Sequence, residues 1–168
     1  AYEIYQCDWS SDVCSSDLSF LKKVGFPKKY YEYVISLVKE HLKPYQLYKE
    51  RDKISTSAIK RLANRVNISH LLIVSRADFL GRTTKEALSR IDPSYIWLKQ
   101  EAYNLELSNS KPKAILTGKH LIDMGYNPNP QFTKVLKAAF NAQLDNEFDN
   151  EENAKEWIKK NYSSILKK

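Results

Sequence analysis

An all-α fold is what this sequence predicts, on three observations. Apolar residues recur at three- and four-residue spacing almost throughout, the spacing of one face of an α-helix. No stretch keeps the strict alternation of apolar and polar residues that a half-buried strand requires. Glycine is scarce, at four residues among 168, and the prolines stand between the periodic segments, where they punctuate rather than interrupt them.

Tyr31, Val34, Val38 and Leu42, with Ile35 and Leu37 beside them, form a first amphipathic helix. Pro44 stops it, because proline cannot continue the hydrogen-bond ladder. A second helix starts near Ser55, a good N-cap, and sets Ile59, Leu62, Ala63 and Val66 on one face. A third runs from about Ser69 to Leu80 and is expected to end at Gly81 in the left-handed C′ conformation. The fourth, from Pro93 or Ser94 to about Leu107, carries Tyr95, Trp97, Leu98, Ala102 and Leu105. Ser108-Asn109-Ser110-Lys111-Pro112 then reads as a linker, since short polar residues and a proline end a helix and pack poorly. Beyond it come a short helix capped by Thr117 and closed by Gly125, and a longer one opened by Pro128-Asn129-Pro130. A last helix is opened by Asn150, with Glu151 and Glu152 favouring its positive end.

The amino-terminal residues stand apart from this pattern. Residues 7–18 read CDWSSDVCSSDL and hold both cysteines, Cys7 and Cys14. One choice of codons for this stretch resembles a widely used sequencing-library adapter. Ala1, Tyr2 and Glu3 with the start of Ile4 fit the adapter's upstream arm, and Tyr5 and Gln6 fill its sample index. Residues 1–18 are therefore expected to be adapter-derived, non-native and disordered, with authentic protein starting at or near Ser19. That segment carries Glu3, Asp8, Asp12 and Asp17 and no basic residue, so removing it raises the formal charge from +7 to +11. Such a charge favours a polyanionic partner. The longest apolar run, Leu71 to Val74, is far too short to span a membrane. These features point to a cytoplasmic, nucleic-acid-associated protein without a membrane partner.

Catalytic patterns are sparse. There is no His-Asp dipeptide, nucleophile elbow, Gly-rich phosphate loop or paired aspartates spaced for two metals, so self-contained catalysis is not supported. His41 lies on the Val34 and Val38 face, and Asp78 lies a turn beyond Val74, so both would point inward, where a lone carboxylate is costly. A metal pair and its plainer alternative, a hydrogen-bonded core histidine with an aspartate bonded to Arg76 or Arg82, both satisfy that spacing. Aromatics interleave with lysines from Lys28 to Lys53, which invites base stacking. Tyr31 and others fall on the apolar helix face and favour core packing, and Tyr45 and Tyr48 fit neither pattern.

Phe20 to Arg82, with FLKKVGFPKKYYEYVISLVKEHLKPYQLY, SAIKRLANRV and LLIVSRADFLGR, resembles the second half of the HD domain of bacterial tRNA nucleotidyltransferases and related polynucleotide adenylyltransferases. ILTGKHLIDMGYNPNPQFTKVLKAAFNAQLDNEF followed by EENAKEWIKK is similar to the carboxyl-terminal RNA-binding region of the same enzymes. The resemblance implies a partial HD domain over residues 19–107 and a helical tRNA-binding tail over 108–168, in the family's order. In such HD domains a His, a His-Asp dipeptide and a distal Asp hold a divalent metal. Asp78, within Arg76-Ala77-Asp78-Phe79-Leu80-Gly81-Arg82, matches the distal Asp, and His41 an accessory His. The remaining ligands and the nucleotidyltransferase head with its paired aspartates would lie upstream of Ser19, in an amino-terminal half that the adapter has replaced. Mg or Mn is implied for the parent enzyme, and none is expected to bind this fragment tightly.

For the tail, the helix starts at Thr117-Gly118-Lys119-His120 and Pro128-Asn129-Pro130-Gln131 can aim N–H groups at phosphate. Lys111, Lys113, Lys119, Lys134 and Lys137 surround them. The alternative is an ordinary helical hairpin with a solvated lysine face. The chain departs from the family in having Pro128-Asn129-Pro130 for Pro-Gly-Pro, and Thr133 where glycine is frequent. The expected function is that of a tRNA-gripping fragment of a CCA-adding or poly(A) polymerase-like nucleotidyltransferase. A fragment of a stand-alone HD phosphohydrolase and a bare all-α RNA-binding module are the alternatives.

Overall fold

The computed structural model describes Lys23, Gly25 and residues 27–166. Residues 1–18 lie outside this range, and with them the adapter assignment. The described residues are helical and contain no strand. Their helices are α1 (Lys28–Glu40), α2 (Lys43–Lys49), α3 (Thr56–Arg65), α4 (Ile68–Gly81), α5 (Lys85–Leu88), α6 (Pro93–Asn104), α7 (Gly118–Asp123), α8 (Gln131–Leu144) and α9 (Glu151–Leu166).

The described residues form two compact units, one of those up to residue 53 together with 65–109, the other of residues 54–64 and 110–166. The linker thus falls at a unit boundary. Most of α3, which a division at residue 107 leaves with the first segment, belongs to the second unit. Side-chain chemistry explains this. Arg61 forks onto Asp145 with Nε to Oδ1 at 3.0 Å and Nη2 to Oδ2 at 2.5 Å, and Lys60 Nζ donates to Asn146 Oδ1 at 2.5 Å. The Asn146 amide in turn donates to Thr56 Oγ1 at 3.2 Å. These partners lie more than eighty residues apart in sequence, so no local pattern announces them.

In the first unit α4 is the central element, touching α1, α5 and α6, while α2 packs on α6. Asn67 caps α4, its side chain accepting from His70 N at 3.0 Å. Ile68, Leu71, Leu72 and Ser75 are its buried residues. Both the amide and the hydroxyl of Ser69 donate to the Ser108 carbonyl, at 3.0 and 2.9 Å, which ties the chain leaving α6 to the start of α4. Pro44 plays a second part beyond ending α1. It sits in the first turn of α2, where its missing N–H costs nothing, and opens a helix that apolar spacing alone does not reveal.

The second unit closes around Leu121 of α7, Phe132, Val135, Ala139 and Ala142 of α8, and Ala154, Ile158 and Leu166 of α9. Trp157 packs between Phe148 and Tyr162, with ring centroids 5.8 and 5.4 Å away, and its indole N–H donates to Glu147 at 2.7 Å. Asn150 opens α9, its side chain accepting from Asn153 N at 2.9 Å.

Helix endings separate the two glycines read as C-caps. Gly125 has φ 85°, and Tyr126 N bonds back to Leu121 O at 3.1 Å, a Schellman ending. Gly81 is instead the last residue of α4, and the cap that follows is Arg82 in an extended conformation, with φ −80° and ψ 153°. Gly125→Ala should therefore destabilise the protein by about 1 kcal/mol, because a Cβ is strained at positive φ. Gly81→Ala has open space around it and should be neutral or stabilising by up to about 1 kcal/mol. Paired thermal melts check this, and equal losses at the two positions would contradict it.

Candidate functional site

The tail residues singled out by sequence all lie in the second unit. Thr117 precedes α7 with extended backbone, φ −127° and ψ 172°, and Gly118 is its first helical residue. His120 Nδ1 accepts the Thr117 amide at 3.0 Å and lies 2.8 Å from Thr117 Oγ1. With Nδ1 acting as acceptor, the ring proton sits on Nε2, which faces Glu151 Oε2 at 3.6 Å. Glu151 also pairs with Lys155, whose hydrogen bond and charge hold its carboxyl below the usual range. Thr117 and His120 thus cap α7 and join it to the first turn of α9.

At the other helix start, Asn129 Oδ1 accepts the Gln131 amide at 2.9 Å, and its Nδ2 donates to the Asn127 carbonyl at 3.2 Å. Phe132 N bonds to Asn129 O at 3.1 Å, and Pro130 has no N–H to offer. The helix starts therefore spend amides on their own caps, and Thr117, His120 and Asn129 work as local braces.

Lys111, Lys113, Lys119, Lys134 and Lys137 are all exposed, and none of them forms an ion pair among the described residues. Gln131, Lys134 and Lys137 follow at three-residue steps along about 9 Å of α8 and within about a third of its circumference. Gln143, which the sequence did not single out, holds the segment around Lys113 in place. Its Nε2 donates to the Lys113 carbonyl at 2.7 Å, and its Oε1 accepts the Ile115 amide at 3.0 Å. Charge is segregated along the unit. Residues 110–144 hold five lysines against Asp123 alone, whereas residues 145–156 hold six acids against Lys155.

The two residues matched to an HD metal site lie in the first unit. His41 is buried, and its Nδ1–H donates to the Val38 carbonyl at 2.5 Å. Asp78 is exposed, not inward as its spacing suggested, and it pairs with Arg82 one turn further on. No group of three or more metal-ligating side chains occurs among the described residues. A stable site normally wants at least three protein ligands. Calorimetric titration with manganese should accordingly show no micromolar binding, and Asp78→Asn should leave the trace unchanged. Micromolar affinity abolished by that substitution would reveal a site assembled from other residues.

His41 and Arg82 also help to line a cavity of about 640 Å³, together with Tyr45, Tyr48, Ser75, Phe79 and Asp92. Tyr45 and Tyr48, which fitted neither base stacking nor core packing in the sequence, are walls of this cavity. Tyr48 also meets Trp97, with ring centroids 6.1 Å apart.

No family model, curated protein or solved structure matches this chain.

Proposed function

We propose that this chain is the carboxyl-terminal, tRNA-gripping part of a bacterial tRNA nucleotidyltransferase-like protein, working in the cytoplasm beside an amino-terminal half that supplies metal-dependent catalysis. The HD-like and tail motifs support the parentage by resemblance alone. The observation that carries the RNA reading is the set of five exposed lysines between residues 111 and 137, without an ion pair among the described residues and in a stretch whose one acidic residue is Asp123. Ammonium groups act as point charges on phosphate, without the planar fork of arginine. Recognition through them reads shape and phosphate position rather than base sequence, as suits a protein that grips many tRNAs.

No helix among the described residues is long and apolar enough to cross a membrane. RNA phosphate is the match for lysines carried on a helix and on a segment that Gln143 holds by two hydrogen bonds.

Two experiments test this reading. Titration of labelled tRNA tests the grip, and absence of binding at millimolar tRNA would remove the RNA function. Sequencing genomic DNA upstream of the Ser19 codon tests the parentage. A paired-aspartate nucleotidyltransferase motif is the expected finding there, and an HD amino-terminal half without one would place the chain in a phosphohydrolase.

A further inference from the structure

The cavity of the first unit has an acidic floor. Asp92 is 6% exposed and caps α6 entirely through Oδ1, which accepts from Ser94 N at 3.0 Å, Ser94 Oγ at 2.6 Å and Tyr95 N at 3.1 Å. Its Oδ2 has no hydrogen-bond or ion-pair partner among the described residues. Ser75, 7% exposed, has a hydroxyl equally without a partner among the described residues. Both residues line the cavity, and no buried side-chain polar atom is sealed from solvent without a partner among the described residues. The two free oxygens therefore open onto this space. A carboxylate oxygen withdrawn from bulk water without a donor is costly, and a ligand that brings one relieves the cost.

The surroundings select the sign of that ligand. Arg82 is the cationic side chain of the lining, and Asp78 already neutralises it. Glu86 and Asp92 supply negative charge with no ion-pair partner among the described residues. Tyr45, Tyr48 and Phe79 give the lining three aromatic rings, and two of these already hold a cation on one face. Lys49 Nζ lies 4.8 Å from the Tyr45 ring centroid, and the Arg51 guanidinium carbon lies 4.5 Å from that of Tyr48. The volume, about 640 Å³, is that of a small-molecule site.

From these features we infer that the cavity binds a small organic cation, an ammonium or amidinium on an aromatic or aliphatic body. Its N–H groups meet Asp92 Oδ2 and Ser75 Oγ, and its body lies against Tyr45 and Phe79. This inference does not depend on the RNA reading, because its residues all belong to the other unit.

Benzamidine and benzoate share a ring and differ in charge, so calorimetric titration of the full chain with each is the test. Benzamidine should bind at least about tenfold more tightly than benzoate. Asp92→Asn keeps the oxygen that caps α6 and replaces the free carboxylate oxygen by an amide donor, so it should weaken benzamidine by about tenfold or more at an unchanged melting temperature. Tyr45→Leu, at a position 46% exposed, should weaken it severalfold and decides the matter if Asp92→Asn alters the fold. Benzoate binding as tightly as benzamidine, full affinity in the deciding variant, or no saturation by benzamidine up to about 10 mM would overturn the inference.

Discussion

Leu121→Ala should destabilise the second unit by about 2–5 kcal/mol, the range for removing a fully buried leucine side chain whose surroundings relax only in part. Leu121 is 0% exposed and is the core residue that α7, a helix of only six residues, contributes. A helix that short has no independent stability, so packing of this side chain holds it in place. Because the Tyr126 amide bonds to the Leu121 carbonyl, loosening the residue also frees the turn at Gly125. In a unit of this size each kcal/mol moves the midpoint by about 4–8 °C, so a thermal melt followed by circular dichroism should shift by about 10 °C or more. Ile122 is 50% exposed one position later, and Ile122→Ala should stay within about 0.5 kcal/mol. Similar losses at both positions would contradict the placement of α7.

Affinity for tRNA should fall about 100- to 500-fold between 50 and 200 mM salt, if each of the five exposed lysines neutralises one phosphate. The arithmetic is that of counterion release. Five contacts at about 0.7 to 0.9 per phosphate give a log–log slope of about −3.5 to −4.5, and the fourfold rise in salt is raised to that power. Fluorescence anisotropy with labelled tRNA at four or five salt concentrations measures the slope. A slope near zero would mean that binding, if any, rests on stacking or base contacts that these residues do not supply.

Much of the fold was legible because its signals are local. The apolar face of α3 is read from spacing, its Ile59, Leu62 and Ala63 and the following Val66 all being buried, and the caps at Thr117, Asn129 and Asn150 from residue type. What escaped was set by non-local or unusual backbone choices. The chain turns at Glu106 and Asn146 with φ 56° and 62°, ending α6 and α8 with the return bonds Leu107 N to Ala102 O and Glu147 N to Ala142 O. Glutamate is not a residue from which a left-handed turn is expected, so α6 ends at Asn104, short of the Leu107 that spacing suggested. The four-residue helix α5 is too short to show a period. The assignment of α3 to the second unit rests on Arg61 and Lys60 reaching Asp145 and Asn146, which one sequence cannot pair.

The candidate sites divide the same way. The exposed lysines could be named from charge and spacing alone. That Gln143 clamps the segment around Lys113, or that Asp92 leaves one oxygen over a cavity, depends on side chains converging from distant segments. Asp92 reads in sequence only as the residue before Pro93, an ordinary helix start. Its second role exists because α2 and α4 bring Tyr45, Ser75 and Phe79 to the same space.

The measurement that bears most directly on the RNA grip compares two double substitutions in the same tRNA titration. Lys119→Ala with Lys134→Ala removes two members of the proposed set, and Lys159→Ala with Lys160→Ala removes two exposed lysines of α9 outside it. Net charge changes equally in both. The first pair should weaken binding and flatten the salt slope by about one to two units, and the second should cost clearly less. Equal losses from the two pairs would contradict a localised phosphate-binding surface and leave only diffuse attraction between a basic protein and a polyanion.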